Sequence, residues 1–315
     1  MAKKRDELDP LDRVFGVLEE AMPGVHDLAA PVDRLPSGLP PALIDLYARC
    51  DGGRIFVDTL ELLRSEDVSF DGVRWQFATL DGEAISIDLR GKVWRKDESV
   101  DDDVCDGTRL DRWLAGQIEA ISMLFDPDGE YADEVFDEEG EILDIVREQQ
   151  LRAQLKRDAA APAPRWRLAL ALADQGATED ARNELEQVVA DDPAFAWAWL
   201  DLARISEKLG EVGGALDESR MAAEAAEGLR HPQAGYFWAQ VARFAIRIGD
   251  DMVRAEAATK ASLLAPELKR AQIEGARERI ESGDTASAKG LIELLRAVWP
   301  RDLEVLELSR RLDAQ

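Results

Sequence analysis

The sequence is poor in the residues that most often carry catalysis or bind metals. It has two cysteines, Cys50 and Cys105, and two histidines, His26 and His231, among 315 residues. No pair of these residues has metal-ligand spacing, and two distant cysteines cannot build a disulfide framework. A cysteine nucleophile would also lack an obvious histidine base. We therefore expect no catalytic residue, no metal and no cofactor.

Long apolar runs are missing as well. No uncharged stretch approaches the roughly 20 residues that a membrane-spanning helix needs. The basic residues at the start, Lys3, Lys4 and Arg5, are not followed by the apolar run of a secretory signal. Together with the small number of cysteines, these absences favour a cytoplasmic protein that does not bind membranes.

Acidic residues are in large excess, mostly in the first half. The formal net charge is −26, and residues 1–150 hold 37 acids against 16 bases, which gives −21. Between Trp113 and Val146 there are eleven acids and no Lys or Arg. Such a surface repels nucleic acid and anionic lipid, because binding either requires protein cations. It would attract a basic protein, although acidity also serves solubility alone.

The acidic stretch includes Asp126-Pro127-Asp128-Gly129, which is similar to part of a calcium-binding loop. The first ligand position would then be Leu124 and the bidentate acid position Val135, so the EF-hand spacing is not met. A solvated acidic loop is the simpler interpretation. A metal-dependent or enzymatic regulator that uses these acids is the alternative to a binding protein.

Glycine, alanine and proline recur at fixed intervals in the second half. Gly176, Gly210, Gly249 and Gly283 are separated by 34, 39 and 34 residues. Alanine precedes each glycine by seven residues and follows three of them by five, whereas the third unit has Ala255 one residue late. Proline follows three of the glycines by 17 residues. These positions are Ala169, Ala203, Ala242 and Ala276, then Ala181, Ala215 and Ala288, and finally Pro193, Pro266 and Pro300.

Each regularity has a physical reason. Small residues let paired antiparallel helices approach closely, glycine ends the first helix in a left-handed conformation, and proline stops the second. The pattern resembles the tetratricopeptide repeat (TPR). The aromatic that this family places after the first small residue is replaced by Leu172, Ser206, Ala245 and Arg279. The second unit is five residues over length, which predicts an extended helix end or a longer loop.

The first half combines helical and strand patterns. Helices are predicted to begin at Asp9-Pro10, to end at Asp51-Gly52-Gly53, and to cover residues 110–125. Asp81-Gly82 is predicted to be a hairpin turn. The predicted strands cover 55–57, 73–80, 84–89 and 93–94. Helices beside an antiparallel sheet make an α+β domain.

Three features of this half resemble the opening signature of the SUKH superfamily. They are Leu39-Pro40-Pro41 before a helix, Tyr47 near its end, and the Asp51-Gly52-Gly53 stop. The run from Leu80 to Trp94 is similar to the central hairpin of that superfamily. The resemblance covers about residues 31–125 and implies a non-catalytic, protein-binding domain. Many bacterial members are immunity proteins that neutralise a toxin, and others are regulatory scaffolds. Basic nuclease toxins are often blocked by acidic partners, which suits the charge of this half.

The sequence therefore predicts a multidomain chain. Residues 1–125 form a SUKH-like α+β domain, residues 126–161 an acidic segment with a connecting helix, and residues 162–315 an all-α TPR-like solenoid. The solenoid has four hairpins and a capping helix at 303–312. We expect a non-catalytic protein-binding adaptor whose first domain binds a basic protein. Toxin neutralisation and scaffolding both stay open.

The resemblance to TPR arrays also predicts a binding groove, because the first helix of each hairpin lines their concave face. It places seven residues there: Trp197, Arg204, Lys208, Tyr236, Arg243, Arg247 and Arg277. Arginines beside aromatics suit an acidic peptide, since a guanidinium group binds a carboxylate with two donors. A plain solvated helix face is the other interpretation. A further hypothesis places residues 126–144 in this groove as an internal ligand.

Overall fold

The computed structural model describes residues 9–20 and 24–314. The chain divides into two compact units, and the division falls between Ala171 and Leu172. This division falls inside the first repeat helix, and the three-part division proposed from the sequence stays a prediction. None of the described helices is long and apolar enough to cross a membrane.

The first unit is an α+β arrangement, as predicted. Its helices are α1 (Pro10–Glu20), α2 (Pro41–Tyr47), α3 (Leu110–Ser122), α4 (Asp144–Arg157) and the start of α5 (Pro162–Asp174). A 3₁₀ turn covers Asp133–Val135. The predicted cap of α1 is confirmed, because Asp9 Oδ1 accepts a hydrogen bond from the N–H of Leu11 at 2.9 Å.

Eight strands form one antiparallel sheet beside these helices. The strands are β1 (Asp27–Leu28), β2 (Gly53–Ile55), β3 (Leu60–Leu62), β4 (Ser69–Phe70), β5 (Trp75–Leu80), β6 (Glu83–Ile87), β7 (Val93–Asp97) and β8 (Asp102–Gly107). Their order is β1-β2-β3-β5-β6-β7-β8, and β4 pairs with β5. Apolar residues of α1, α2 and α3 share a buried core with the sheet, in which Leu43, Phe77 and Ile85 are fully buried.

Several local predictions for this unit need correction. Residues 56 and 57 do not extend a strand, because Phe56 and Val57 have φ values of +54° and +61° and turn the chain away after β2. Helix α2 ends at Tyr47, before the predicted stop. The sequence does not predict β8, since aspartate is rare in strands. The hairpin turn is confirmed, with φ values of +52° at Asp81 and +82° at Gly82.

The second unit is entirely helical. After the end of α5 come α6 (Thr178–Asp191), α7 (Ala196–Lys208), α8 (Val212–Gly228), α9 (Ala234–Ile248), α10 (Asp251–Leu264), α11 (Leu268–Ser282), α12 (Thr285–Val298) and α13 (Leu303–Asp313). The four recurring glycines have φ values between +75° and +86° and each follows the first helix of a hairpin. Each glycine therefore ends a helix in the left-handed conformation that its spacing predicts. The extra residues of the second repeat lengthen α8, which is one of the two alternatives predicted from the sequence.

The recurring alanines lie at the helix contacts. The seven that occupy the two fixed positions are all fully buried: Ala169, Ala181, Ala203, Ala215, Ala242, Ala276 and Ala288. The prediction that Ala255 lies at a helix contact needs correction, because this residue is exposed. In α10 the buried small residues are instead Ala257 and Ala261. The spacing from Gly249 therefore does not carry over into α10.

The last hairpin packs on its predecessor through its second helix. In the middle of the array, α9 packs on both α8 and α10. Helix α12 then packs on α9 and α10, while α11 packs on α12 and α13. Arg254 of α10 donates to the carbonyl oxygen of Ala297 in α12 at 3.5 Å. Helices α11, α12 and α13 also share a small core that includes Ile280, Leu295 and Leu308.

Candidate protein-binding groove

A cleft of about 310 Å³ lies between α7, α9 and α12. We call it the repeat groove. Polar side chains of α7 and α9 form one wall, and α12 contributes small and apolar residues to the other. The lining residues are Arg204, Glu207, Tyr236, Gln240, Arg243, Ser287, Gly290, Leu291 and Leu294.

Arg204 is held at the groove by two partners. Its Nη1 forms an ion pair with Asp201 Oδ1 at 2.7 Å, and its Nη2 donates to the hydroxyl oxygen of Tyr236 at 3.3 Å. Partial loss of hydration lowers the pKa of Arg204, whose side chain is still 45% exposed, but the interactions with Asp201 and Tyr236 raise this pKa above its ordinary value. The guanidinium group therefore remains charged and fixed in place.

Arg243 and Arg247 share one carboxylate, that of Glu207. Arg243 Nη1 lies 3.3 Å from Glu207 Oε2, and Arg247 Nε lies 3.4 Å from Glu207 Oε1. Arg243 Nε also donates to Gln240 Oε1 at 2.9 Å, and Arg247 Nη2 pairs with Glu293 of α12 at 3.1 Å. The groove thus contains an acid of its own between two of its arginines.

Trp197 supports the groove from behind. Its side chain is buried, and its ring centroid lies 4.7 Å from that of Phe237 and 5.9 Å from that of Tyr236. These contacts fix the ring of Tyr236, whose hydroxyl meets Arg204. We assign Trp197 to the packing beneath the groove, since it is not among the lining residues.

Besides Trp197, three further predicted site residues lie outside the groove lining. Lys208 is exposed and its Nζ donates to the carbonyl oxygen of Ala173 at 3.5 Å, at the end of α5. Arg247 forms an ion pair with Glu207, which is a lining residue. Arg277 belongs to α11 and pairs with Glu304 of α13 at 2.8 Å. The groove therefore brings together Arg204, Tyr236 and Arg243 from the predicted set.

Six lining residues were not predicted from the sequence: Glu207, Gln240, Ser287, Gly290, Leu291 and Leu294. Glu207 and Gln240 stand three residues from Arg204 and Arg243 in the same helices, so helical spacing could have placed them on the same face. The four lining residues of α12 had no such signal, because only the first helix of each hairpin was expected to line the groove. The hydrophobic wall depends on the placement of the last hairpin.

Tyr47, Asp51 and Gly53, which were singled out in the sequence, connect α2 to the sheet in the first unit. Tyr47 is fully buried and its hydroxyl donates to the carbonyl oxygen of Leu63 at 3.0 Å. Asp51 Oδ1 accepts from the N–H of Ser65 at 3.0 Å. Gly53 has a φ of +129°, and a Cβ there would lie 2.2 Å from the carbonyl oxygen of Asp27. These residues have a structural reason for their identity.

The histidine and cysteine side chains of this unit also have structural roles. His26 Nδ1 accepts from the N–H of Phe56 at 3.1 Å, and burial lowers the pKa of His26. Cys50 is buried, and this burial raises the pKa of its thiol to about 11, which keeps it neutral. Across the described ranges, no three His, Cys, Asp or Glu residues are grouped so that they could hold a metal ion.

The acidic segment forms two similar tight loops. Asp126 and Asp137 each begin one loop and accept two backbone N–H groups at 2.8–3.1 Å, from Asp128, Glu130, Glu139 and Glu141. Between the loops, Tyr131 stacks on Phe125 with ring centroids 4.6 Å apart. Phe136 and Ile142 pack against the core of the first unit. The two loop-opening carboxylates thus stabilise their own turns.

Comparison with known proteins identifies the repeats. Residues 172–229, which include α6, α7 and α8, match the tetratricopeptide repeat family. Comparison with curated proteins finds no match. The chain is similar to the crystal structure of MamA, with a TM-score of 0.36, 18% identity, and coverage of 53% of this chain and 90% of that chain.

Two further solved structures are similar to part of this chain. One is pilF of Pseudomonas aeruginosa, with a TM-score of 0.37, 16% identity, and coverage of 53% of this chain and 76% of that chain. The other is YrrB, described as a TPR protein with an unusual peptide-binding site, with a TM-score of 0.32, 12% identity, and coverage of 52% and 91%. The family match confirms that residues 172–229 are tetratricopeptide repeats, as the glycine and alanine spacing predicts.

Proposed function

We propose that this chain is a non-catalytic adaptor whose repeat groove binds an acidic segment of a partner protein. The observation that carries the proposal is the convergence of Arg204, Tyr236 and Arg243, from two successive repeats, on one cleft. Guanidinium groups bind carboxylates with two parallel donors, and tyrosine adds a hydroxyl and a rigid apolar ring.

Charge alone would give weak binding in this groove. Exposed ion pairs contribute only about 0.2–1 kcal/mol each. Leu291, which is partly exposed beside the groove, adds a second contribution, since burying apolar surface is worth about 25 cal/mol per Å². The groove therefore suits a segment that has both charged and apolar side chains.

The groove is tested by capturing proteins with the full-length chain and identifying them. A double charge reversal, Arg204→Glu with Arg243→Glu, is compared with the wild type. The matched control is Arg301→Glu with Arg310→Glu, since both of these arginines are exposed and lie outside the groove. We expect the groove variant to lose acidic partners that the control keeps. Equal capture by both variants would refute binding in this groove.

For the first unit we propose a SUKH-type domain that binds a basic protein in the cytoplasm, with toxin neutralisation as its most specific form. The order of helices and strands, the structural roles of Tyr47 and Gly53, and the charge of −21 over residues 1–150 support it. Basic partners should be released by added salt. One tight basic partner at equal stoichiometry would indicate neutralisation, and several weaker ones would indicate scaffolding.

The alternative proposal is a metal-dependent or enzymatic regulator that uses the acidic segment. The carboxylates of Asp126 and Asp137 already accept hydrogen bonds from their own loops. Metal analysis of the purified chain after gel filtration tests this alternative. One metal ion retained per chain would support it.

A further inference from the structure

The repeat groove holds an acidic side chain at the position that a ligand carboxylate would take. Glu207 lies between Arg243 and Arg247 and contacts both. Arg243 is the more buried of the two arginines, with 16% of its side chain exposed against 48% for Arg247. An acidic ligand therefore meets a groove whose best cation is already paired.

We propose that the groove binds its ligand by carboxylate exchange. The ligand is a peptide segment with an acidic residue beside a branched apolar residue. Its carboxylate replaces Glu207 at Arg243, and its apolar side chain packs against Leu291 and Leu294. The inference rests on the proposed function, because it requires a peptide in the same groove.

The two acids at the groove are held differently, which decides which of them is exchanged. The side chain of Asp201 is 9% exposed and holds Arg204 at 2.7 Å. The side chain of Glu207 is 25% exposed, and its distances to Arg243 and Arg247 are 3.3 and 3.4 Å. Glu207 makes the longer contacts and has the freer path to water. Asp201 therefore stays with Arg204 while Glu207 turns outward.

The requirement for an apolar neighbour comes from α12. Leu294 is buried beneath the groove and Leu291 is partly exposed beside it. Gly290 leaves room next to them, because a Cβ built there would meet no heavy atom within 4 Å. A branched side chain from the ligand can occupy this space and remove apolar surface from water.

The test uses the full-length chain and three fluorescent peptide pools with randomised flanks. The first pool has a fixed Glu-Leu core, the second a Gln-Leu core and the third a Glu-Ser core. Binding is followed by fluorescence anisotropy at several salt concentrations. Two groove variants are compared with the wild type: Glu207→Gln, which removes the competing charge, and Gly290→Leu, which fills the apolar space.

Each groove variant has a matched control in α8. Glu224→Gln removes a charge from an exposed position, and Gly214→Leu adds the same side chain where a Cβ also meets nothing within 4 Å. Leucine has a higher helix propensity than glycine, so both leucine variants should melt at or above the wild-type temperature. Loss of binding in Gly290→Leu would then report the groove and not unfolding.

We expect the wild type to prefer the Glu-Leu pool and Glu207→Gln to bind it about fivefold more tightly, as expected when about 1 kcal/mol of competition is removed. Peptide binding to Glu207→Gln should also depend more steeply on salt. In this variant the ligand carboxylate forms a new ion pair with Arg243, whereas in the wild type it only replaces an existing one. Gly290→Leu should lose binding, and both α8 controls should match the wild type.

The outcomes separate the two levels of the proposal. Equal binding by Glu207→Gln and the wild type, with loss in Gly290→Leu, would overturn the exchange and leave peptide binding in the groove intact. Equal binding of the Gln-Leu and Glu-Leu pools would overturn the carboxylate requirement. Binding by Gly290→Leu at wild-type strength, or no binding of any pool to any variant, would overturn the proposed function of the groove as well.

Discussion

Arg167 Nη1 donates to Asp106 Oδ1 at 2.7 Å, and the side chain of Asp106 has no exposed surface. Trp113 and Gln117 of α3 donate to the other oxygen of the same carboxylate, at 2.8 and 3.2 Å. Arg167 belongs to α5, the first helix of the first repeat, whereas Asp106 belongs to the last strand of the sheet. The start of the repeats therefore completes the polar core of the α+β unit.

Removing this arginine should destabilise the first unit strongly. Arg167→Met would leave the Asp106 carboxylate buried without its charged partner, which typically costs about 3–5 kcal/mol. Urea unfolding followed by tryptophan fluorescence measures the loss. The control Arg152→Met removes an exposed pair with Glu148 one helical turn away and should cost less than about 0.5 kcal/mol. If unpaired charge is the cause, adding Asp106→Asn to Arg167→Met should restore part of the stability.

Gly53→Ala should destabilise the first unit more than Gly72→Ala. Both glycines have positive φ values, +129° and +102°, so each substitution carries a conformational cost of about 1–2 kcal/mol. Only at Gly53 would the new Cβ also meet backbone, 2.2 Å from the carbonyl oxygen of Asp27, whereas Gly72 faces open space. Thermal melting of the two variants compares these costs. Equal midpoints would show that the contact at Gly53 relaxes without penalty.

Glu218→Gln should stabilise the second unit at neutral pH. Burial raises the pKa of Glu218 above 4.5, and the neighbouring Ser206 and Arg182 only partly oppose this effect. The folded state therefore binds the proton more tightly, and stability is lost as the pH rises through the folded pKa. The advantage of the variant should be present at neutral pH and shrink towards pH 4. Melting curves across this range check the sign, which would be reversed if the ionised form were preferred.

Arg243 and Arg277 should differ in their effect on peptide binding, although the sequence assigns them equivalent repeat positions. Arg243→Ala removes a groove cation, and we expect at least a fivefold loss of affinity for the Glu-Leu pool, or about 1 kcal/mol. Arg277→Ala removes a contact with Glu304 on α13 and should leave affinity unchanged. Anisotropy titrations of both variants measure the difference. Equal losses would indicate that the ligand extends onto α11.

The sequence predicts each hairpin well because the signals are local. Gly249 and Ala242 fix where α9 ends and which side faces its partner, and both requirements fall within a few residues. The same pattern does not state which helix of a hairpin meets the preceding one. Ala276 and Ala288 bring α11 and α12 together in either arrangement. The apolar wall of the groove therefore appears only in three dimensions.

The sheet contains an element that local sequence signals do not predict. Whether β8 can form a strand depends on a residue that is distant in the chain. Asp102, Asp103 and Asp106 make β8 look like a loop, because isolated carboxylates are expensive to bury. Asp106 becomes acceptable in a strand through Arg167, which lies 61 positions later in the chain. No pattern within the strand contains this information. A search for charged pairs between predicted elements would be needed to find it.

The packing of α12 on α9 and α10 also limits where an array of this kind can gain a hairpin. A duplicated hairpin inserted after α10 would need the surface that α12 covers, and would expose Leu294 if it took that place. An insertion before α9 would in turn have to separate α8 from α9, which pack on each other. The final three helices therefore close this end of the array, and a further hairpin could follow α10 only by replacing the contacts that α12 makes with α9 and α10.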